Sequence, residues 1–180
     1  MRRAGKRIFI RDLEERDAEM LYPIWSDRDV VRYLNMEAAA TIEEVRSMIY
    51  MLRTLSGKKK AFRYAIADRK TGCIIGTCGF NEWDNENKRG EIGYELGQGY
   101  WGKGYMQEAL YMMLSHAFQE MKANRIEAKV LPENSSSIRL LEKLQFQKEG
   151  LLRKYEKINK NYCDVLMYSL LKEDQPFLAD

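Results

Sequence analysis

The stretch that decides the fold is Gly97-Gln98-Gly99-Tyr100-Trp101-Gly102-Lys103-Gly104-Tyr105-Met106. It leaves a strand-like segment, Lys88 to Leu96, and enters a helical pattern in which Leu110, Met113, Leu114, Ala117, Phe118 and Met121 form an apolar stripe. Closely spaced glycines let a backbone approach a ligand and turn its N–H groups toward it. The start of a helix adds about half a positive charge. Together they predict an anion site suited to phosphate or pyrophosphate.

Three phosphate-binding patterns compete for this stretch. Gly97, Gly99 and Gly102 satisfy G-x-G-x-x-G, but a dinucleotide fold places that motif in an early βαβ unit with an acid ending the next strand. Here it lies mid-chain, and the next strand ends in Val130 and Leu131. Gly97 through Gly102-Lys103 also matches most of a nucleotide-hydrolase loop. Gly104 then stands where a Ser or Thr hydroxyl would hold magnesium. A purely structural turn would lose backbone entropy at several glycines with no ligand to offset it.

Outward from this stretch, the chain reads as α+β. Arg7 to Leu13 alternates as a first strand. A helical stretch begins near Arg16, is interrupted near Pro23 and resumes briefly over Asp27 to Leu34. Thr41-Ile42-Glu43-Glu44 is a capping box, followed by Val45, Met48, Ile49 and Leu52 at helical spacing as far as Gly57. Strands are expected over Ala61–Ala67 and Cys73–Phe80, with turn residues at Asp68–Gly72 and a loop over Asn81–Asn87. After the long helix come a strand over Arg125–Leu131 and a helix capped by Asn134 that buries Ile138, Leu141 and Leu144. Two last strands, Phe146–Ile158 and Asn161–Leu170, meet at a turn near Asn159 and Lys160.

Composition bounds the function. At 180 residues the chain fits one domain spanning residues 1–180, and 45% apolar residues suffice for a full core. The net charge of +3 and the lack of a basic stripe interleaved with aromatics argue against nucleic-acid binding. Lys58, Lys59 and Lys60 read as a solvated loop. Neither a signal-peptide core nor 18 successive apolar residues occur, so a cytoplasmic protein without a membrane span is expected. Cys73, Cys78 and Cys163 are an odd set with no secretory context, which speaks against disulfides. Cys73 and Cys78 fall on opposite faces of one strand, and His116 is the single histidine, so no metal site is expected.

The segment Trp101-Gly102-Lys103-Gly104-Tyr105-Met106 resembles the pyrophosphate loop of the GNAT superfamily of acetyltransferases, Gln/Arg-x-x-Gly-x-Gly/Ala, with Trp101 and Met106 as departures. Gly90-Glu91-Ile92-Gly93-Tyr94, Gln107-Glu108-Ala109-Leu110, Asn124-Arg125-Ile126-Glu127-Ala128, Pro132-Glu133-Asn134 with Ser137, Leu141-Glu142-Lys143-Leu144, and Glu149-Gly150 with Arg153 extend the likeness. They resemble the branch holding the ribosomal-protein N-terminal (alanine/serine) acetyltransferases. The likeness runs from Arg7 to Leu171, with Gln145 in place of the usual glycine before Phe146.

This resemblance implies a mostly antiparallel sheet of about seven strands with flanking helices. At its centre a parallel pair, Lys88–Leu96 and Arg125–Leu131, splays apart to admit acetyl-CoA. Backbone N–H groups from Gly102 to Met106, including Lys103, Gly104 and Tyr105, would hold the pyrophosphate beside Trp101. The strand edge near Leu96 and the Asn134 side chain would meet the pantetheine arm. The reaction implied is direct attack of a primary amine on the thioester. A peptide α-amine, with a pKa of about 8, is roughly one-tenth neutral at pH 7; a lysine-type amine near about 10.4 is far less so. Glu91 is the candidate base, with Glu95 in reserve, and Ser137 the candidate donor to the leaving thiolate, because Leu141 stands where many relatives carry a tyrosine. A covalent route through a cysteine lacks a histidine partner. Trp25, Tyr33, Trp83, Asp84 and Glu82 are candidates for the acceptor pocket.

The acceptor implied is a protein N-terminus, with a polyamine or aminoglycoside as the alternative. An acyl-CoA-binding sensor without catalysis is the alternative of another class. A homodimer through the sheet edge is compatible with the pattern.

Overall fold

In the strand that follows the basic N-terminus, Ile8 and Ile10 are fully buried while Phe9 and Arg11 are only partly so. This period-two alternation sets the face of the sheet. The computed structural model describes residues 1–158 and 161–174. The elements run β1 (Arg2–Ala4), β2 (Ile8–Asp12), α1 (Ala18–Trp25), α2 (Arg28–Val31), α3 (Ile42–Gly57), β3 (Phe62–Asp68), β4 (Ile74–Asp84) and β5 (Arg89–Leu96). Then follow α4 (Tyr105–Gln119), β6 (Arg125–Val130), α5 (Ser135–Lys143), β7 (Gln147–Ile158) and β8 (Asn161–Leu171).

Among the described residues the strands form one eight-stranded sheet, ordered β1-β2-β3-β4-β5-β6-β8-β7. Every neighbouring pair is antiparallel except β5 and β6. That parallel pair is in register only from Arg89↔Arg125 to Glu91↔Glu127. Both strands continue past the last rung, to Leu96 and Val130, so they diverge in the middle of the sheet.

Each face of the sheet carries its own core. On one face α4 lays Met106, Leu110, Met113, Leu114, Ala117 and Phe118 against Ile8, Ile10, Ile92 and Ile126. On the other, Leu21, Ile24 and Trp25 of α1 and Val45 and Ile49 of α3 cover Ala65, Ala67 and Ile74. A Leu or Ile side chain fully buried in this way contributes about 1.5–3 kcal/mol.

Several expectations are corrected. The sheet has eight strands rather than about seven: Arg2–Ala4 pairs with β2, yet its polar, exposed sequence carries no hydrophobic alternation. Pro23 lies inside α1 rather than interrupting it. Its ring and the carbonyl-bearing Glu19 both face solvent, while Leu21, Ile24 and Trp25 hold the helix to the sheet. The loop expected over Asn81–Asn87 is mostly strand. A bulge between Phe80 and Glu82 keeps β4 paired with β5 as far as Asp84. Cys73 precedes β4 and is exposed, whereas Cys78 is buried within it, so the two do not share a strand. The capping box at α3 is half formed: Thr41 accepts the Glu44 N–H, but Glu44 accepts from Ala40 instead of Thr41. The turn expected at Asn159 and Lys160 lies outside the described residues.

Asn134 does cap α5, accepting the Ser137 N–H at 3.1 Å. The other end of α5 closes through Gln145, which adopts a left-handed φ of 67°. Its N–H reaches the Glu142 carbonyl and the Phe146 N–H reaches Leu141, the paired bonds of a glycine-type stop. A side chain in that conformation costs about 1–2 kcal/mol. Gln145→Gly is therefore expected to raise stability by about 1 kcal/mol, offset in part by glycine's larger unfolded-state entropy. Denaturant titration of the two proteins would read this directly, and a loss of stability would contradict it.

Candidate active site

The diverging ends of β5 and β6 open a cleft of about 590 Å³. Its walls come from four places: Val30 and Tyr33 near α2, Tyr94 and Leu96 on β5, Gly102, Gly104 and Met106 at the start of α4, and Asn134 and Ser137 at the start of α5. Two helix N-termini thus face one cavity, with their unpaired N–H groups and partial positive charge. Gly102 and Gly104 have φ of 69° and 77°, values that side chains disfavour, and they turn the loop into α4. Arg139 and Lys143 of α5 add two cations to the wall. The cavity is therefore built for an elongated ligand carrying phosphate, and its size and donors fit a pantetheine-linked nucleotide.

A GNAT acetyltransferase domain model matches residues 7–147. The chain belongs to the GNAT acetyltransferase family. As such it is an acetyl-CoA-dependent N-acetyltransferase. It is 47% identical to an uncharacterized N-acetyltransferase, p20, of Bacillus licheniformis over 94% of this chain and 95% of that protein. It overlays a ribosomal-protein-S5-alanine acetyltransferase of Vibrio fischeri with a TM-score of 0.85 at 26% identity, covering 97% of this chain and 98% of the other. A ribosomal L7/L12 α-N-protein acetyltransferase in complex with coenzyme A shares the fold, with a TM-score of 0.86 at 22% identity over 94% and 96% of the two chains.

In this GNAT acetyltransferase the residues singled out in the sequence do not all reach the cleft. Leu96, Trp101, Gly102, Gly104, Tyr105, Met106, Asn134 and Ser137 all line the cleft. Trp101 is half exposed, and its indole N–H donates to the Leu96 carbonyl at 2.7 Å. Lys103 points back along the loop, its ammonium on the Gly99 carbonyl at 2.5 Å. Glu91 is not a wall residue. It sits at the last rung of the β5–β6 pair, on the sheet face that carries α1, and forms an ion pair with Lys129 at 2.7 Å. Lys129 lies two residues past the matching rung on β6, so the pair bridges the apex of the split. Burial pulls the Lys129 pKa down, but the Glu91 and Tyr155 contacts outweigh it and leave the ammonium above its ordinary value.

Glu95 is a buried carboxylate rather than the surface group its charge suggests. It accepts from the Trp25 indole at 2.9 Å and from the Thr77 hydroxyl, and it faces Arg63 at 3.4 Å. Trp25 and Trp83 are core residues, not acceptor-pocket walls: Trp25 is buried over Glu95, and Trp83 stacks edge-on against Phe62 and Phe80. Asp84 is occupied by the N–H groups of Glu86 and Asn87 in the turn after β4. Of the proposed aromatic walls only Tyr33 lines the cleft. Among the described residues no group of three or more His, Cys, Asp and Glu side chains is placed to hold a metal ion, and no helix is long and apolar enough to cross a membrane.

Two contacts escaped the sequence reading because they join distant segments. Tyr94 Oη lies 2.7 Å from Ser137 Oγ. Arg7, at the mouth of β2, grips the glycine loop from behind. Its guanidinium donates to the Lys103 carbonyl at 2.7 Å, pairs with Glu108 at 2.9 Å and lies over the Tyr105 ring at 4.4 Å. Burial pushes the Glu108 carboxyl up, but the Arg7 and Ile8 N–H groups and the Arg7 charge outweigh it and leave the pKa below its usual range. Arg7→Ala is expected to raise the KM for acetyl-CoA about tenfold, the equivalent of about 1.4 kcal/mol, with kcat little changed. Steady-state kinetics at varied acetyl-CoA would show it; an unchanged KM would mean the loop keeps its shape unaided.

Proposed function

We propose that this transferase acetylates the N-terminal α-amine of a protein, with a ribosomal protein as the first candidate. The observation that carries this reading is the likeness to a solved ribosomal-protein-S5-alanine acetyltransferase, and the charge of the cleft goes with it. Among the described residues of its wall, Arg32, Arg139 and Lys143 stand beside two acids, Asp29 and Glu95. Glu95 is already engaged by Trp25, Thr77 and Arg63, and Asp29 faces the Gln98 amide. A polyamine or aminoglycoside carries several cations and calls for free carboxylates in excess. A peptide terminus brings one amine and a backbone. The likeness to solved enzymes named as ribosomal-protein acetyltransferases supports the same choice. A cytoplasmic setting, where newly made proteins meet acetyl-CoA, goes with it, as does action by one transferase domain.

In this reading the N–H groups from Gly102 to Met106, with Lys103, Gly104 and Tyr105 between them, hold the pyrophosphate, and Trp101 covers the arm entering along Leu96. Asn134 keeps its cap on Ser137 and offers its amide N–H groups to the arm. The amine attacks the thioester carbonyl carbon, the C–N bond forms, the C–S bond breaks and the electron pair leaves on sulfur. Glu91, oriented by Lys129 at the apex of the split, takes the amine proton through a water. Ser137 donates a hydrogen bond to the departing sulfur. A general base in this position accounts for about 10²–10⁴ in rate. Glu91→Gln should lower kcat by about a hundredfold with CoA binding retained, and unchanged turnover would remove Glu91 from the mechanism.

The acceptor class is tested by following CoA thiol release with peptides bearing free Ala, Ser or Met termini, with polyamines and with aminoglycosides. Release with peptides alone is expected. Release with small amines alone would overturn the acceptor while leaving the family intact. Stable CoA binding without release on any acceptor would favour a sensor.

A further inference from the structure

Many acetyltransferases of this architecture place a tyrosine on the helix that follows the second splayed strand, and here that position is Leu141, a fully buried core residue. The structure brings a different tyrosine, Tyr94, to the first turn of that helix. Tyr94 projects from β5 across the cleft and meets Ser137 of α5 at 2.7 Å, oxygen to oxygen, with both residues in the cleft wall. We infer that Tyr94 is a positioning residue for the transfer step, fixing the Ser137 hydroxyl so that its hydrogen points at the leaving sulfur. This inference rests on the reading of Ser137 given above.

Either hydroxyl can donate in this contact, and the inference gives the shared hydrogen to Tyr94. A serine hydroxyl has one hydrogen and two acceptor lone pairs, and the phenol of Tyr94 has one hydrogen to give. Burial pushes the Tyr94 pKa up to about 12, against the opposing pull of the Ser137 bond, so the phenol stays protonated at neutral pH. Unconstrained, a serine in the first turn of a helix turns its hydroxyl toward the backbone, back to a carbonyl one turn earlier or onto an N–H at the cap. Neither use is made here. The Asn134 side chain caps the Ser137 N–H, and among the described residues the hydrogen bond of Ser137 Oγ is to Tyr94. With Tyr94 donating, a lone pair of Ser137 is taken and its hydrogen is left for the cavity. A preset donor acts on developing charge without reorganising during the reaction. No proton leaves either residue. The thiolate departs hydrogen-bonded to Ser137, the amine proton leaves by way of Glu91 and its water, and the thiolate is protonated by solvent afterwards.

The arrangement also joins the two sides of the split. Tyr94 is fixed on β5 and Ser137 on the first turn of α5, directly after β6. Their contact ties the two walls of the already open cleft together, so the donor is aligned only while the cleft keeps its width.

A double-mutant cycle tests this with Tyr94→Phe, Ser137→Ala and the pair, each measured for kcat, for KM toward acetyl-CoA and for thermal stability. Tyr94→Phe keeps the ring and removes only the hydroxyl. It is expected to lower kcat about tenfold with KM for acetyl-CoA unchanged, and to add nothing in the Ser137→Ala background. A purely structural role would move stability or KM and leave the two effects multiplicative. That result would overturn the inference, as would wild-type kcat in Tyr94→Phe beside an impaired Ser137→Ala. Wild-type kcat in Ser137→Ala would instead remove the Ser137 reading, and this inference with it.

Discussion

Replacing Glu95 by alanine is expected to destabilise the protein by about 3–5 kcal/mol. The carboxylate lies under α1 with its side chain only 2% exposed, and three groups depend on it. The Trp25 indole N–H and the Thr77 hydroxyl would lose their acceptor. Arg63, its side chain 14% exposed, would be left with the Gly93 carbonyl as its remaining hydrogen-bond acceptor and no nearby anion. Removing one partner of a buried pair is costly because the other charge stays buried and uncompensated, whatever the intact pair contributes. Glu95→Gln keeps an oxygen for Trp25 and Thr77 and should lose less. Denaturant titration distinguishes the two variants. A loss of under about 1 kcal/mol for the alanine variant, the range of an exposed pair, would show that water reaches Arg63 freely.

The second large effect is catalytic. Ser137→Ala should lower kcat by about a hundredfold, the scale on which a single positioned donor to developing charge acts. Binding of acetyl-CoA should hold. The backbone N–H of residue 137 keeps its bond to Asn134, so the start of α5 is not disturbed by losing the hydroxyl. Stopped turnover with an unchanged KM and an unchanged melting temperature would place the serine at the reacting atoms. A raised KM with normal kcat would assign it to holding the pantetheine arm instead.

Much of this was legible in the sequence because it is local. The glycine loop, the long helix behind it and the Asn134 cap are set by neighbours within a few residues and appear close to where the pattern puts them, although the helix stops at Gln119, short of Met121. The last two strands also lie close to where the sequence puts them. The misread elements had no local signal. Arg2–Ala4 becomes a strand only because β2 lies beside it, and Pro23 stays helical because its neighbours are buried while its own side chain faces water. Glu82 to Asp84 look like a polar loop, yet Trp83 faces the core from a bulged strand.

The candidate site divides the same way. Its cleft-lining residues cluster in two short motifs and were readable from them. The contacts that tune the site link residues far apart in the chain: Glu91 with Lys129, Tyr94 with Ser137, Arg7 with the loop at Lys103. Each joins residues that lie far apart in the chain and are brought together by the folded sheet and its crossover. Spacing along the chain carries no trace of them.

The most direct test of the central claim is the position of the acetyl group on a single peptide that carries both a free N-terminal α-amine and an internal lysine. The enzyme is incubated with acetyl-CoA and the product is fragmented by mass spectrometry. Acetylation confined to the α-amine is the predicted result. Acetylation of the lysine side chain with the terminus left free would contradict the account.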